Sequence, residues 1–123
     1  MNITKLAWVG SRTENPEPTV ALFRDVLGLR PAEEAPGFWI FTLPDGSTVE
    51  VFGPQSGLNR HFTTGPVVGF LVDDVFAATE ELRAAGVEIL TEPAMDESGN
   101  AWTHFRAPDG NIYELKYTEE RPG

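Results

Sequence analysis

The chain has no cysteine among its 123 residues. That excludes disulfides, thiolate nucleophiles and any metal site built on sulfur. Basic residues are few: nine Lys and Arg against 19 Asp and Glu, for a formal net charge of -10. A nucleic acid or an anionic membrane needs a basic face, so neither is expected as a partner. The balance suits solubility and weakly favours a cationic ligand. No stretch approaches the roughly 20 apolar residues of a membrane helix. The opening "MNITKLAWVG" has neither a charged start nor a long apolar run, so no signal peptide is expected. A soluble cytoplasmic protein is the expectation. The apolar fraction of 41% is ordinary for a globular chain, and the length suits one compact domain.

What the sequence does have is a repeat. "LPDGSTVEVF" (43–52) matches "APDGNIYELK" (107–116). Pro44, Asp45, Gly46 and Glu50 each sit 64 positions before Pro108, Asp109, Gly110 and Glu114. Upstream, "FWIFTLPDG" (38–46) aligns with "WTHFRAPDG" (102–110). "WVGSR" (8–12) aligns with "VVGFL" (67–71) and "DVLGLR" (25–30) with "RAAGVE" (83–88). The growing offset fits a longer loop, "TEPAMDESGN" (91–100), in the second copy. Two divergent modules explain the chain. They run 3–53 and 66–117, joined by a Gly- and Pro-rich linker, 54–65, and followed by a polar, frayed tail, 118–123.

Each copy carries the same element signals. "ITKLAWVG" and "PVVGFLV" are β-compatible runs. "EPTVALFRDVLG" spaces Val20, Phe23 or Leu22, and Val26 or Leu27 as a helix does, with Gly28 as its left-handed stop. "DDVFAATEELRAAG" repeats that design, with Asp73 or Asp74 as N-cap, Val75, Ala78 and Leu82 on one face, and Gly86 closing. Short strands follow in "LRPAEE" and "VEILTE". A hairpin turning at Pro-Asp-Gly ends each copy, because proline presets φ, Asp bonds its own backbone and Gly takes positive φ. The expected module is βαβββ, present twice.

Side chains alternate along a strand. Thr48, Glu50 and Phe52 therefore share a face, as do Ile112, Glu114 and Lys116. The opposite faces, Val49 with Val51 and Tyr113 with Leu115 and Tyr117, pack under the helices. The glutamate faces are either solvated surface or cavity lining; the matched register in both copies favours lining. His104 shares parity with Trp102 and Arg106 and matches Ile40, which puts it on the Glu114 face as a ligand, base, hydrogen-bond donor or simple strand histidine. His61, in the linker, reads as surface. Trp39 has opposite parity to Phe38 and goes to the helix side or a loop-covered edge.

"FRDVLGL" after the first helix, "VDDV" before the second and "PDG…YEL" at the end resemble the vicinal oxygen chelate superfamily. It includes glyoxalase I, extradiol dioxygenases, methylmalonyl-CoA epimerase, fosfomycin-modifying enzymes and bleomycin-resistance proteins. The resemblance covers about residues 3–117. It implies an α+β domain whose two tandem βαβββ modules form an incomplete barrel around a cavity, and a homodimer. Metal enzymes of the group take one ligand from the first and fourth strand of each module. Those positions here are Trp8, Glu50, Val67 and Glu114. Both glutamates match; Trp8 and Val67 replace histidine or glutamine. Indole nitrogen only donates and valine offers nothing. Zn²⁺ or non-haem Fe(II) would lack its donors, and two glutamates alone would hold a divalent ion weakly. No catalytic metal or other cofactor is expected.

The resemblance also puts Trp8, Phe38, Phe52 and Trp102 on the cavity wall with His104. Two carboxylates facing one cavity need a shared proton, Lys116, Arg106 or a cationic ligand beside them. The first functional expectation is a metal-free small-molecule binding protein. It would hold an aromatic or cationic ligand with Trp8, Phe38, Glu50, Phe52, Trp102, His104 and Glu114. The alternative is a glyoxalase-like lyase or isomerase with Glu50 and Glu114 as catalytic groups, with or without a weakly held divalent ion.

Overall fold

The structure is a computed structural model. It describes every residue except Thr64, Asp109 and 120–123, and of Glu33 the backbone alone. The Asp109 turn reading and the end of the tail fall outside the described residues.

The chain order is β1 (Ile3–Arg12), α1 (Pro16–Ala21), a π-helical turn (Leu22–Val26), β2 (Arg30–Ala35), β3 (Phe38–Thr42), β4 (Thr48–Phe52), β5 (Val67–Val72), α2 (Val75–Ala84), β6 (Glu88–Thr91), β7 (Asn100–Arg106) and β8 (Ile112–Thr118). This is an α+β chain of two βαβββ modules, as the repeat implies. It divides into two compact units: a central unit, Trp8–Val67, and a terminal unit, Met1–Ala7 with Val68–Gly123. The first half of β1 thus belongs with the second module.

In the central unit the strand order is β2-β3-β4-β1. β1 runs parallel to β4, and β3 antiparallel to both β2 and β4. The turn between β3 and β4 has the expected chemistry. Gly46 takes φ 87°, its N–H donates to the Leu43 carbonyl, and the Asp45 carboxylate accepts from the Ser47 N–H. On the helix side Val20, Phe41 and Val51 are buried, with Phe23, Leu29, Trp39 and Val49 against them. Trp39 therefore goes to the helix side.

The first helix differs from its expectation. After Ala21 the ladder loosens, with the Leu27 N–H bonding the Leu22 carbonyl and Leu29 reaching Phe23. The extra residue per turn shifts the apolar stripe. Phe23 still faces the core, but Val26 is 74% exposed and Leu27 is exposed beside it. The core role expected for Val26 or Leu27 is not filled.

In the terminal unit β5, β8, β7 and β6 follow in that order. The start of the chain is tied to it by polar contacts. The N-terminal ammonium meets Glu81 at 2.8 Å, the Asn2 amide donates to Asp73, and Thr4 Oγ1 donates to the Leu71 carbonyl. α2 is capped by Asp74, whose carboxylate accepts from the N–H groups of Phe76 and Ala77. Val75 and Ala78 are buried with Val72, Ala101 and Leu115, and Leu82 packs against them. Gly86 closes the helix at φ 80°. Among the described residues no helix is long and apolar enough to cross a membrane.

Candidate functional site

Each module places its glutamate in the same register. Glu50 lies opposite Gly10 on one side and Ile40 on the other. Glu114 lies opposite Gly69 and His104. The repeat is thus visible as paired backbone positions. What surrounds the two carboxylates is different.

In the terminal unit His104 is fully buried and Glu114 is 5% exposed. His104 Nε2 sits 2.8 Å from Glu114 Oε1. A carboxylate only accepts, so Nε2–H is the donor. His104 Nδ1 is 3.1 Å from Thr91 Oγ1. The Thr91 hydroxyl donates to a neutral ring and accepts from a protonated one. β6 bulges between Ile89 and Thr91, and the Thr103 hydroxyl holds the Thr91 carbonyl at 2.7 Å, which fixes this third partner. Arg106, a sequence candidate for neutralising Glu114, instead meets Glu88 at 3.0 Å and the Gly110 carbonyl. Trp102 is half-buried on the His104 face, opposite Lys116.

In the central unit Glu50 is half-buried, and Thr48 Oγ1 donates to its Oε2 at 3.0 Å. Trp8 is 4% exposed. Its ring lies across Gly10, where an added Cβ would stand 2.8 Å from Trp8 Cζ3 and 2.7 Å from the Glu50 carbonyl oxygen. Phe52 packs edge-on to Trp8 at 6.3 Å, and Phe38 stacks on Phe52 at 4.8 Å. The sequence reading missed Phe62. This linker residue is buried against Trp8 at 5.9 Å and Phe52 at 5.6 Å. Trp8 and Phe52 are therefore walls covered by Phe62. A bulky aromatic inside a polar linker was the available signal. His61 is half-buried, edge-on to Phe62.

Arg12 was also missed. Its guanidinium donates to the carbonyls of Gly53, Ser56 and Leu58 and lies 5.6 Å from the Phe52 ring centre. It staples the linker over the aromatic cluster. Burial first, and then the nearby Arg60 cation, lower its pKa from the ordinary arginine value.

The donors present do not fit the four-ligand metal centre. Trp8 and Val67 supply no lone pair to a cation. Glu114 Oε1 is held by His104. Among the described residues no three His, Asp or Glu side chains gather as a metal would need.

The family model "Glyoxalase/Bleomycin resistance protein/Dioxygenase superfamily" matches residues 5–115, and the chain belongs to that superfamily. It is 29% identical over 79 residues to the uncharacterized protein YetH of Bacillus subtilis, a match spanning 63% of this chain and 65% of that protein. Its fold is similar to hypothetical protein BH1468 of Bacillus halodurans, with a TM-score of 0.75, 18% identity and 97% of each chain covered. It is similar, too, to methylmalonyl-CoA epimerase from Mycobacterium tuberculosis, with a TM-score of 0.73 and 18% identity over 96% of this chain and 90% of that one.

Proposed function

We propose that this chain is a metal-independent small-molecule binding protein of its superfamily. It holds an organic ligand against the glutamate-bearing sheet face through side chains alone. The observation that carries this is the 2.8 Å contact between His104 and Glu114. The superfamily's acidic ligand position is given to a buried imidazole, and the two partner positions are Trp8 and Val67. Phe38, half-buried on the Glu50 face, adds aromatic surface, and the net charge of -10 favours a cation. The same reading takes a cytoplasmic homodimer as the working form.

The test is thermal unfolding in EDTA, then with Mg²⁺, Mn²⁺, Fe²⁺, Ni²⁺ and Zn²⁺ in turn, followed by tryptophan fluorescence against a library of aromatic cations. Stabilisation by a specific ligand grows with its excess over Kd. No ion-specific shift and a saturable organic ligand are expected. A rise in Tm with one ion that Glu50→Ala abolishes overturns the metal-independent reading. Sedimentation at the monomer mass removes the homodimer.

A second reading is isomerase-type proton transfer with Glu50 as base. Its support is the fold likeness to an epimerase and the half-buried Glu50 carboxylate beside Thr48. Exchange of the acidic C–H of a 2-substituted malonyl thioester in D₂O, lost in Glu50→Gln, is the expected sign. Absence of exchange sinks it.

A further inference from the structure

We propose that the helix side of the central unit carries a separate binding groove for a small organic cation. The groove lies against Trp39, on the face of β3 that packs towards α1, and not on the Glu50 face. Its volume is about 760 Å³, the size of an ordinary small-molecule pocket.

The sequence builds it in three pieces. Trp39 stands directly opposite Glu34 in the β2–β3 pair, and its indole N–H donates to Glu34 Oε1 at 3.0 Å. That bond fixes the ring and puts a carboxylate at its edge. Glu14 and Glu17 line the groove from the start of the first helix, and Pro16 and Pro54 complete it. Two glycines set these walls. A Cβ on Gly53 would stand 2.8 Å from Pro16 Cγ, and one on Gly37, at φ 75°, would stand 2.7 Å from the Ser56 nitrogen. Only bare backbone lets the segments close this tightly, so the groove is preformed.

Chemistry selects the occupant. Among the described residues Glu14, Glu17 and Glu34 take part in no ion pair; Arg24 is paired with Asp25 and feels Glu34 and Glu17 only at longer range, as Arg12 feels Glu14. An anion is repelled by three carboxylates. A neutral apolar body would desolvate them without return. A cation on an apolar body, such as a quaternary ammonium, meets both the carboxylates and the Trp39 face. Fixed walls of proline and close-packed backbone suit a small molecule better than an extended peptide.

The experiment is a titration of the ¹⁵N-labelled chain with choline, with its neutral carbon isostere 3,3-dimethylbutan-1-ol, and with a lysine-rich peptide. Saturable shifts confined to residues 14–17, 34–39 and 53–55 are expected with choline. Glu34→Gln keeps an oxygen for the Trp39 N–H but removes the charge, and should weaken choline about tenfold with Tm unchanged. Trp39→Phe should weaken it by a smaller factor. Equal binding of the isostere, shifts at Trp8 and Glu50 instead, tighter binding of the peptide, or no saturation would each overturn the groove. Because its probe and its residues differ from those of the sheet-face site, either proposal can fail alone.

Discussion

The two modules share a backbone register but treat their glutamates in opposite ways. Opposite Glu50 stands Ile40; opposite Glu114 stands His104. Glu50 remains half-buried and takes a hydroxyl from its own strand, whereas Glu114 sinks to 5% exposure against an imidazole. The cross-strand partner and the depth of the carboxylate thus change together between the two modules. A buried carboxylate needs its hydrogen-bond partner far more than an accessible one does.

The largest test of that contrast is His104→Leu. It strands Glu114 in the interior and should cost about 3–5 kcal/mol. At roughly 4 °C per kcal/mol for a chain of this size, the Tm shift is unmistakable. Pairing it with Glu114→Leu should recover much of the loss, because removing both partners is milder than orphaning one. The mirror change, Ile40→His opposite Glu50, should move Tm by less than about 1 kcal/mol equivalent. Equal effects in the two modules would mean that burial does not separate the two glutamates.

Next in size is the cover over the central aromatic cluster. Phe62→Ala should cost about 3 kcal/mol, as other buried aromatic truncations do. It should also uncover Trp8, raising the fluorescence response to aromatic cations. If Phe62→Ala leaves Tm alone, the linker is not part of the core.

Much of this contrast was legible before folding. The 64-residue offset predicted matching registers, and both hairpins do pair residues equidistant from the Asp position of Pro-Asp-Gly. That same symmetry sets 104 against 114, so the His104–Glu114 pair could have been read from the turn. Its depth could not, because burial depends on what the bulged β6 brings beside it. Phe62 was hidden for a similar reason: its partners Trp8 and Phe52 are distant in sequence, and only packing joins them. The π-helical turn was invisible because a 3.6-residue period fits Val20 and Phe23 equally well whether or not the ladder loosens after them. Nothing in the stretch "WVGSR" singles out Arg12, because only the fold of the linker gives it carbonyls to hold.

The helices supply the smallest and cleanest comparison. α2 begins at Asp74, which caps two backbone N–H groups, while α1 begins at Asn15, whose side chain caps none. Asn and Asp are equally good caps by residue type, so sequence alone predicts equal losses on truncation. The structure predicts unequal ones. Asp74→Ala should lose about 1 kcal/mol, and Asn15→Ala should lose almost nothing. α1 compensates with Pro16 at its first position, which has no N–H to satisfy and a preset φ. Pro16→Ala should therefore cost more than Asn15→Ala, both through that lost preset and through its contact over Gly53. Urea midpoints for the three variants, at unchanged m-value, settle the order. Asn15 costing as much as Asp74 would show that the first helix relies on its cap after all.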